Sequence, residues 1–223
     1  MISEVYNCDC MKYMETIPDK YFDLVIADPP YSDPNKDKIG RGKSVCRIGG
    51  QWAKKYGEKI IDWDVSPSED FFKQLFRISK NQIIWGGNNY NLPPTRCFVV
   101  WRKLTISDKF SMAMAEYAWT SFQSNAKVFE FAPQGNKDRF HPTQKPVMLY
   151  KWLLEHYAKK GDKIFDPMMG SGSSRIAAYN MGYDYYGCEL DKDYFEAADK
   201  RFQKECNGIY YTPKGIVKQL SLF

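Results

Sequence analysis

The sequence predicts an α/β fold: a mostly parallel sheet with an antiparallel edge and helices on both faces. Three observations predict it. Short β-rich apolar runs alternate with helix-period segments at both ends of the chain. Several strand-like runs follow one another in the middle with no helix between them, which gives the antiparallel edge. Two loops rich in Pro or Gly stop apolar strands, as ligand loops do at the carboxyl ends of strands in open sheets.

The elements follow in order. Residues 4–8 read as a strand and 11–17 as a helix. Residues 22–27 (Phe-Asp-Leu-Val-Ile-Ala) read as a buried strand stopped by two prolines. A Gly- and Lys-rich stretch without clear period runs to about residue 64. Ser68 is placed to cap a helix ending near Ser79. Strand candidates lie at 82–85, 97–101, 116–120 and 127–131. Pro146 opens a helix to about Ala158. Then come a strand at 163–165, a helix at 172–181, a strand at 185–189 and a last long helix at 191–204. The expected organisation is a single domain over 1–223, with an inserted basic loop at about 32–62, a short recognition region at about 102–140 and a tail at 212–223.

Composition narrows the function classes. With 43% hydrophobic and 16% aromatic residues in 223, the chain can bury one good-sized core. No apolar run reaches membrane-spanning length, and the start lacks a secretory pattern, so no membrane partner and a cytoplasmic setting are expected. The six cysteines form no CxxC pair, so no metal site is expected. His141 and His156 are the only histidines, which leaves little material for a Ser-His-Asp relay. Eight basic residues, Lys36, Lys38, Arg41, Lys43, Arg47, Lys54, Lys55 and Lys59, face three acidic ones between Ser32 and Ile60, which matches the net charge of +5 for the whole chain. Such a concentration favours a polyanionic partner; a solvated surface loop explains the charge equally well.

Four motifs carry chemistry. Asp28-Pro29-Pro30-Tyr31 follows the apolar strand. The prolines fix φ and remove two N–H donors, which leaves carbonyl acceptors beside a carboxylate and an aromatic ring. That set suits a planar group bearing an NH₂. Pro93-Pro94 lacks the flanking Asp and Tyr and reads as a turn. The second motif, Asp166-Pro167-Met168-Met169-Gly170-Ser171-Gly172, joins a strand to a helix, where glycines let backbone approach a ligand. It is neither GxGxxG, since residue 175 is Arg, nor a Walker loop. Glu189 ends the next strand, where an acid can accept from ribose hydroxyls; a helix-terminal charge is the alternative, which Asp191 would serve as well. His141-Pro142-Thr143-Gln144-Lys145-Pro146 enters a helix with polar side chains and an ammonium, a carboxylate-binding set or ordinary helix entry.

In this order the motifs resemble the β-group of DNA amino-methyltransferases, which place DPPY before HPTQKP and a DPFxGSG-type loop. Met168 stands where that family usually has Phe. The resemblance covers most of the chain and implies a circularly permuted Rossmann-like methyltransferase sheet of seven strands, with the first strand beside the Glu189 strand. It implies S-adenosylmethionine as cofactor and double-stranded DNA as partner, with transfer to adenine N6 of a flipped base, in the manner of restriction-modification methylases. Asp28, Pro29, Pro30 and Tyr31 would be catalytic. Asp9 and Cys10 would lie by the adenine of the cofactor, although Asp9 is as good a helix cap. Thr143, Gln144 and Lys145 would lie by its carboxylate, Asp166, Pro167, Gly170, Ser171 and Gly172 along its methionine part, and Glu189 on its ribose; Asp28 would touch both cofactor and amine. Cytosine N4 transfer and a catalytically silent DNA-binding protein are the alternatives. A homodimer is the expected assembly. Lys36, Lys38, Arg41, Lys43, Arg47, Lys137 and Arg139 are the candidate DNA contacts. The end of the chain, Gln219-Leu220-Ser221-Leu222-Phe223, resembles the peptide by which bacterial replication proteins dock on the sliding clamp through Gln219, Leu220, Leu222 and Phe223; packing on its own core is the alternative.

Overall fold

The computed structural model describes residues 1–30, 66–109, 113–133, 139–212 and 215–218. Strands β1 (Ser3–Asn7), β2 (Phe22–Ala27), β3 (Ser79–Trp85), β4 (Phe98–Arg102), β5 (Ala115–Thr120), β6 (Lys127–Glu130), β7 (Lys163–Asp166) and β8 (Asp184–Glu189) form one sheet in the order β1-β8-β7-β2-β3-β5-β4-β6. Among these strands only β5 runs against its neighbours; the pairs β1–β8, β8–β7, β7–β2, β2–β3 and β4–β6 are all parallel. The expected α/β sheet with its antiparallel element is therefore present. The first strand lies beside β8, with Asn7 opposite Glu189. The sheet has eight strands where the resemblance implies seven. The addition is β6, which pairs with β4 at the edge and carries an Arg102–Glu130 ion pair at 2.9 Å across that pairing.

The helices are α1 (Cys10–Glu15), α2 (Glu69–Ile78), α3 (Val147–Tyr157), α4 (Ser173–Met181) and α5 (Lys192–Asn207). One core packs α3, α4 and α5 on one face of the sheet through Leu149, Leu153, Ala177 and Ala198; the other packs α1 and α2 through Met14, Phe71, Leu75 and Ile78. The strands serve both. Leu24 and Ile26 point into the first core, Val25 and Ala27 into the second, which is why β2 is apolar nearly throughout. Phe22 and Phe165 stack in the second core at 4.7 Å between ring centres and are both fully buried. Truncating either ring to Ala would cost about 3–5 kcal/mol.

Local signals set most helix ends. The Asp191 carboxylate accepts the Tyr194 N–H at 3.0 Å and caps α5, and Gly208 in the left-handed region (φ 63°) ends it. Ser68 occupies the cap position of α2 without a side-chain cap bond. After α5 the chain forms a hairpin, β9 (Ile209–Thr212) and β10 (Gly215–Lys218). The expected tail is thus partly a hairpin, since Pro-Lys-Gly at 213–215 separates two β-rich runs. Among the described residues, no helix is long and apolar enough to cross a membrane.

The strand order reverses between β7 and β2: the path β7, β8, β1 extends one way and β2, β3 the other. The carboxyl ends at such a switch point leave a crevice. The Asp28 and Asp166 loops meet there.

Candidate active site

A cavity of about 370 Å³ opens at this switch point. Asp9, Cys10, Asp28, Pro30, Thr143, Gln144, Lys145, Pro167, Gly170, Ser171 and Glu189 line it, with His141 and Tyr150. Residues from both ends of the chain thus share one wall. Of the remaining expected residues, Asp166 is buried, with its carboxylate committed to the glycine loop, and Gly172 is the N-cap of α4.

The glycine loop is built around two carboxylates. Asp166 accepts the Met168 N–H at 3.0 Å and the Ser174 hydroxyl at 2.6 Å. Burial, reinforced by the Asp28 and Glu189 charges, pushes its pKa up to about 7 despite those bonds. Glu189 accepts the Gly170 N–H at 2.8 Å through one oxygen and the Asp191 N–H at 2.9 Å through the other. Burial also raises its pKa. The alternatives for Glu189 and Asp191 therefore divide cleanly: Asp191 caps the helix, while Glu189 holds the loop and lines the cavity. Asp9 caps α1 by accepting the Met11 N–H at 2.9 Å, and it lines the cavity as well.

The segment 141–146 is anchored from below. The Ser173 hydroxyl donates to the Lys145 carbonyl at 2.7 Å, and the Arg201 guanidinium donates to the Ser173 hydroxyl at 2.8 Å and the Ser171 carbonyl at 3.1 Å. This ties the segment to the glycine loop. His141 packs edge-on to Tyr194 at 4.4 Å and lies so close to Gly170 that a Cβ there would stand 3.2 Å from its ring. Burial, with Lys145 and Arg139 nearby, lowers the His141 pKa to about 4, so the ring is neutral near pH 7. Its Nδ1 accepts the Thr143 N–H at 3.3 Å. The Arg139 guanidinium donates to the carbonyls of His141 and Pro142, so this candidate DNA contact also braces the site. Gln144 lines the cavity, and its buried Oε1 has no hydrogen-bond partner among the described residues. A buried acceptor in that state calls for a donor from a ligand.

The Asp28 loop has two supports absent from the sequence reading. The Tyr90 hydroxyl donates to the carbonyls of Pro29 at 3.0 Å and Pro30 at 3.1 Å. The Asp28 carboxylate is bound by the Lys145 ammonium, which also lies 3.2 Å from Glu116, which in turn lies 2.5 Å from Lys103. Burial raises the Asp28 pKa against the pull of Lys145. Glu116 is held low, at about 2, because Lys145 and Lys103 outweigh its own desolvation. Lys145 was expected beside a ligand carboxylate; here it lies between two protein carboxylates on the cavity wall. No local pattern marked Glu116, Tyr90 or Arg201, and none gave Lys103 or Ser173 these partners. The second Pro-Pro pair, expected as a turn, lies instead in an irregular stretch before β4, with the Pro93 carbonyl accepting from the Trp119 indole at 2.7 Å. Tyr31, Lys36, Lys38, Arg41, Lys43, Arg47, Lys137, Gln219, Leu220, Leu222 and Phe223 lie outside the described residues.

Comparison with known proteins agrees with this arrangement. The family model described as DNA methylase matches residues 100–200, from β4 into α5. The chain is 26% identical over 251 aligned positions to the type II methyltransferase M.HinfI of Haemophilus influenzae, covering 91% of this chain and 69% of that protein. It is 25% identical to the putative methylase YubD of Escherichia coli K12, with 90% of each chain covered. Among solved structures, it resembles TTHA0409, a putative DNA modification methylase of Thermus thermophilus complexed with S-adenosyl-L-methionine, at a TM-score of 0.55 and 16% identity over 93% of this chain and 96% of that one. It also resembles the cytosine-N4-specific PvuII DNA methyltransferase, at a TM-score of 0.59 and 13% identity over 89% and 86%. The strand order, the paired loops at the switch point and these relatives lead to one conclusion: the chain is similar to DNA methylases of the N6/N4 group, by a family-model match over residues 100–200 and by relatives that cover 90% or more of it.

Proposed function

We propose that this chain transfers a methyl group from S-adenosylmethionine to the N6 amine of an adenine flipped out of double-stranded DNA. One observation carries the reading. The Asp28 carboxylate, an acceptor suited to an NH₂ group, lines the glycine-loop cavity at the switch point, and the Pro29 carbonyl follows it directly in the chain. The cavity volume is in the range of small-molecule sites. S-adenosylmethionine fits its donor set: Glu189 for ribose hydroxyls, Asp9 and Cys10 beside it for the adenine, and Thr143, Gln144 and the 170–171 backbone for the amino-acid end. The cofactor supplies an electrophilic methyl group on a sulfonium, which leaves with the C–S electron pair on sulfur.

The chain's own residues do the rest. An exocyclic amine on a base is a poor nucleophile because its lone pair is delocalised into the ring. Accepting its two hydrogens at Asp28 and the Pro29 carbonyl draws the nitrogen toward a pyramidal shape and aims the lone pair at the methyl group. The nitrogen becomes positive as the N–C bond forms, and the fixed carboxylate stabilises that charge before the nitrogen loses a hydrogen as a proton. No covalent enzyme intermediate is needed. Tyr31 would stack on the flipped base, and the basic residues from Lys36 to Arg47, with Lys137, would hold phosphates.

The same acceptors serve cytosine N4, but an aspartate at position 28 favours adenine, since the N4 group more often carries Ser there. Mass spectrometry of nucleosides from DNA treated with the protein and cofactor tests the reading. N6-methyladenine is expected. N4-methylcytosine would overturn the choice of base, and unmodified DNA would overturn the activity.

A further inference from the structure

The Asp28–Lys145–Glu116–Lys103 chain alternates in charge and is largely withdrawn from water. The Lys145 side chain is 4% exposed and that of Lys103 8%. Its members come from separate elements: Asp28 follows β2, Lys145 precedes α3, Glu116 lies in β5 and Lys103 follows β4. Each ammonium also sits over an indole, Lys145 at 5.2 Å from Trp85 and Lys103 at 5.1 Å from Trp101. Burying four charges is costly, and a hydrophobic set often holds such a position as well or better. Fastening β5 in place therefore does not by itself account for the arrangement.

An isolated Asp28–Lys145 pair would be electrically neutral and would offer a weak field to a nitrogen gaining positive charge. We propose that Glu116, held by Lys103, is a positioning residue for methyl transfer: it shares the Lys145 ammonium with Asp28 and so leaves Asp28 a net anionic acceptor. This rests on the reading that Asp28 orients the target amine. The three inner groups carry one net negative charge, and Lys103 balances it at the far side of Glu116, away from Asp28. Lys103, just after β4, and Glu116 of β5 are thereby linked to the carboxylate at the reacting centre.

Among the described residues, the titratable groups facing Asp28 are Lys145, Glu116 and Lys103, with Asp166 at the end of β7 and Tyr150 of α3. Glu116 raises the Asp28 pKa and Lys103 lowers it. The two substitutions should therefore move the acidic limb of the rate profile in opposite directions, which a loss of packing alone would not do.

The test is single-turnover transfer of labelled methyl groups to DNA across the acidic range, at saturating cofactor and DNA, for the wild type, Glu116→Gln and Lys103→Gln. Glu116→Gln should slow transfer on the order of tenfold, change the cofactor Kd, read from a separate binding titration, by less than about threefold and shift the limb to lower pH. Lys103→Gln should shift it to higher pH. Unmoved limbs, shifts in the same direction, or a wild-type rate in Glu116→Gln would overturn the proposal. If Glu116→Gln does not fold, the direction of the Lys103→Gln shift decides. A failure of the underlying reading is distinguishable, because it would appear as methyl transfer that survives Asp28→Ala.

Discussion

The Tyr90 hydroxyl bonds to the Pro29 carbonyl at 3.0 Å and to its neighbour Pro30 at 3.1 Å. One donor thus fixes the direction of both carbonyls in the loop that presents Asp28. The Tyr90 ring is braced in turn by Phe72 at 4.7 Å. Tyr90→Phe keeps the ring and removes the donor. It should lower the single-turnover rate by roughly three- to tenfold, the size of one lost orienting hydrogen bond, with cofactor affinity nearly unchanged. Rapid-quench methylation beside a cofactor titration measures both. A changed affinity with an unchanged rate would show that Tyr90 supports the cofactor side instead.

Asp166 gives a pH dependence of stability. Its folded pKa of about 7 lies above the ordinary 3.8. Between those values the folded chain binds more proton than the unfolded chain, so stability falls as pH rises through that window. The loss from this group should amount to a few kcal/mol in the ligand-free protein. Urea denaturation at a series of pH values should show this slope, and Asp166→Asn should flatten it. An equal slope in the variant would assign the proton to another group.

Gly170 has φ 52°, in the region that favours glycine, and a Cβ there would meet the His141 ring at 3.2 Å. Gly170→Ala should therefore strain the backbone and push His141 from the wall, at a cost of about 1–2 kcal/mol in stability. Cofactor affinity should weaken on the order of tenfold, since the loop backbone is displaced. Thermal denaturation and calorimetric binding read the two effects separately. Wild-type affinity in a destabilised variant would remove the Gly170 backbone from the cofactor site.

The hairpin β9–β10 precedes the last five residues and holds Ile216 72% and Val217 53% exposed. Docking of the tail on a bacterial sliding clamp is a proposal from its sequence, and on that proposal deleting residues 219–223 should abolish clamp binding and leave DNA methylation at its full rate. Surface plasmon resonance with immobilised clamp measures the first and a methyl-transfer assay the second. Unchanged clamp affinity after deletion would refute docking through Gln219, Leu220, Leu222 and Phe223.

Much of this site was legible because its chemistry is local in sequence. A strand apolar on both faces ended by Asp-Pro-Pro marks a sheet terminus with a carboxylate, and Asp-Pro before a Gly-Ser-Gly turn marks the second. Their order along the chain carried the resemblance to the β-group methyltransferases, and that resemblance implied the permuted sheet. The choice between Glu189 and Asp191 needed coordinates, since two acids at a helix start look alike until one is seen capping the helix and the other reaching Gly170. The roles of Glu116, on β5, and of Lys103, just past β4, were invisible because a charge on or beside a strand reads as solvent-facing until another element supplies its partner. Arg201 lay on what looks like the polar side of α5, yet it reaches under the glycine loop to Ser171 and Ser173. The β9–β10 hairpin carried a turn signal at 213–215 but was subsumed in the tail.

The central claim is that Asp28 is a hydrogen-bond acceptor that orients an amine. Single-turnover transfer of labelled methyl groups to DNA by Asp28→Ala tests it most directly, with the product nucleosides identified by mass spectrometry. The expected result is a loss of rate of at least about a thousandfold, with a folded protein that still binds S-adenosylmethionine. Near-wild-type formation of the methylated base by this variant would contradict the claim.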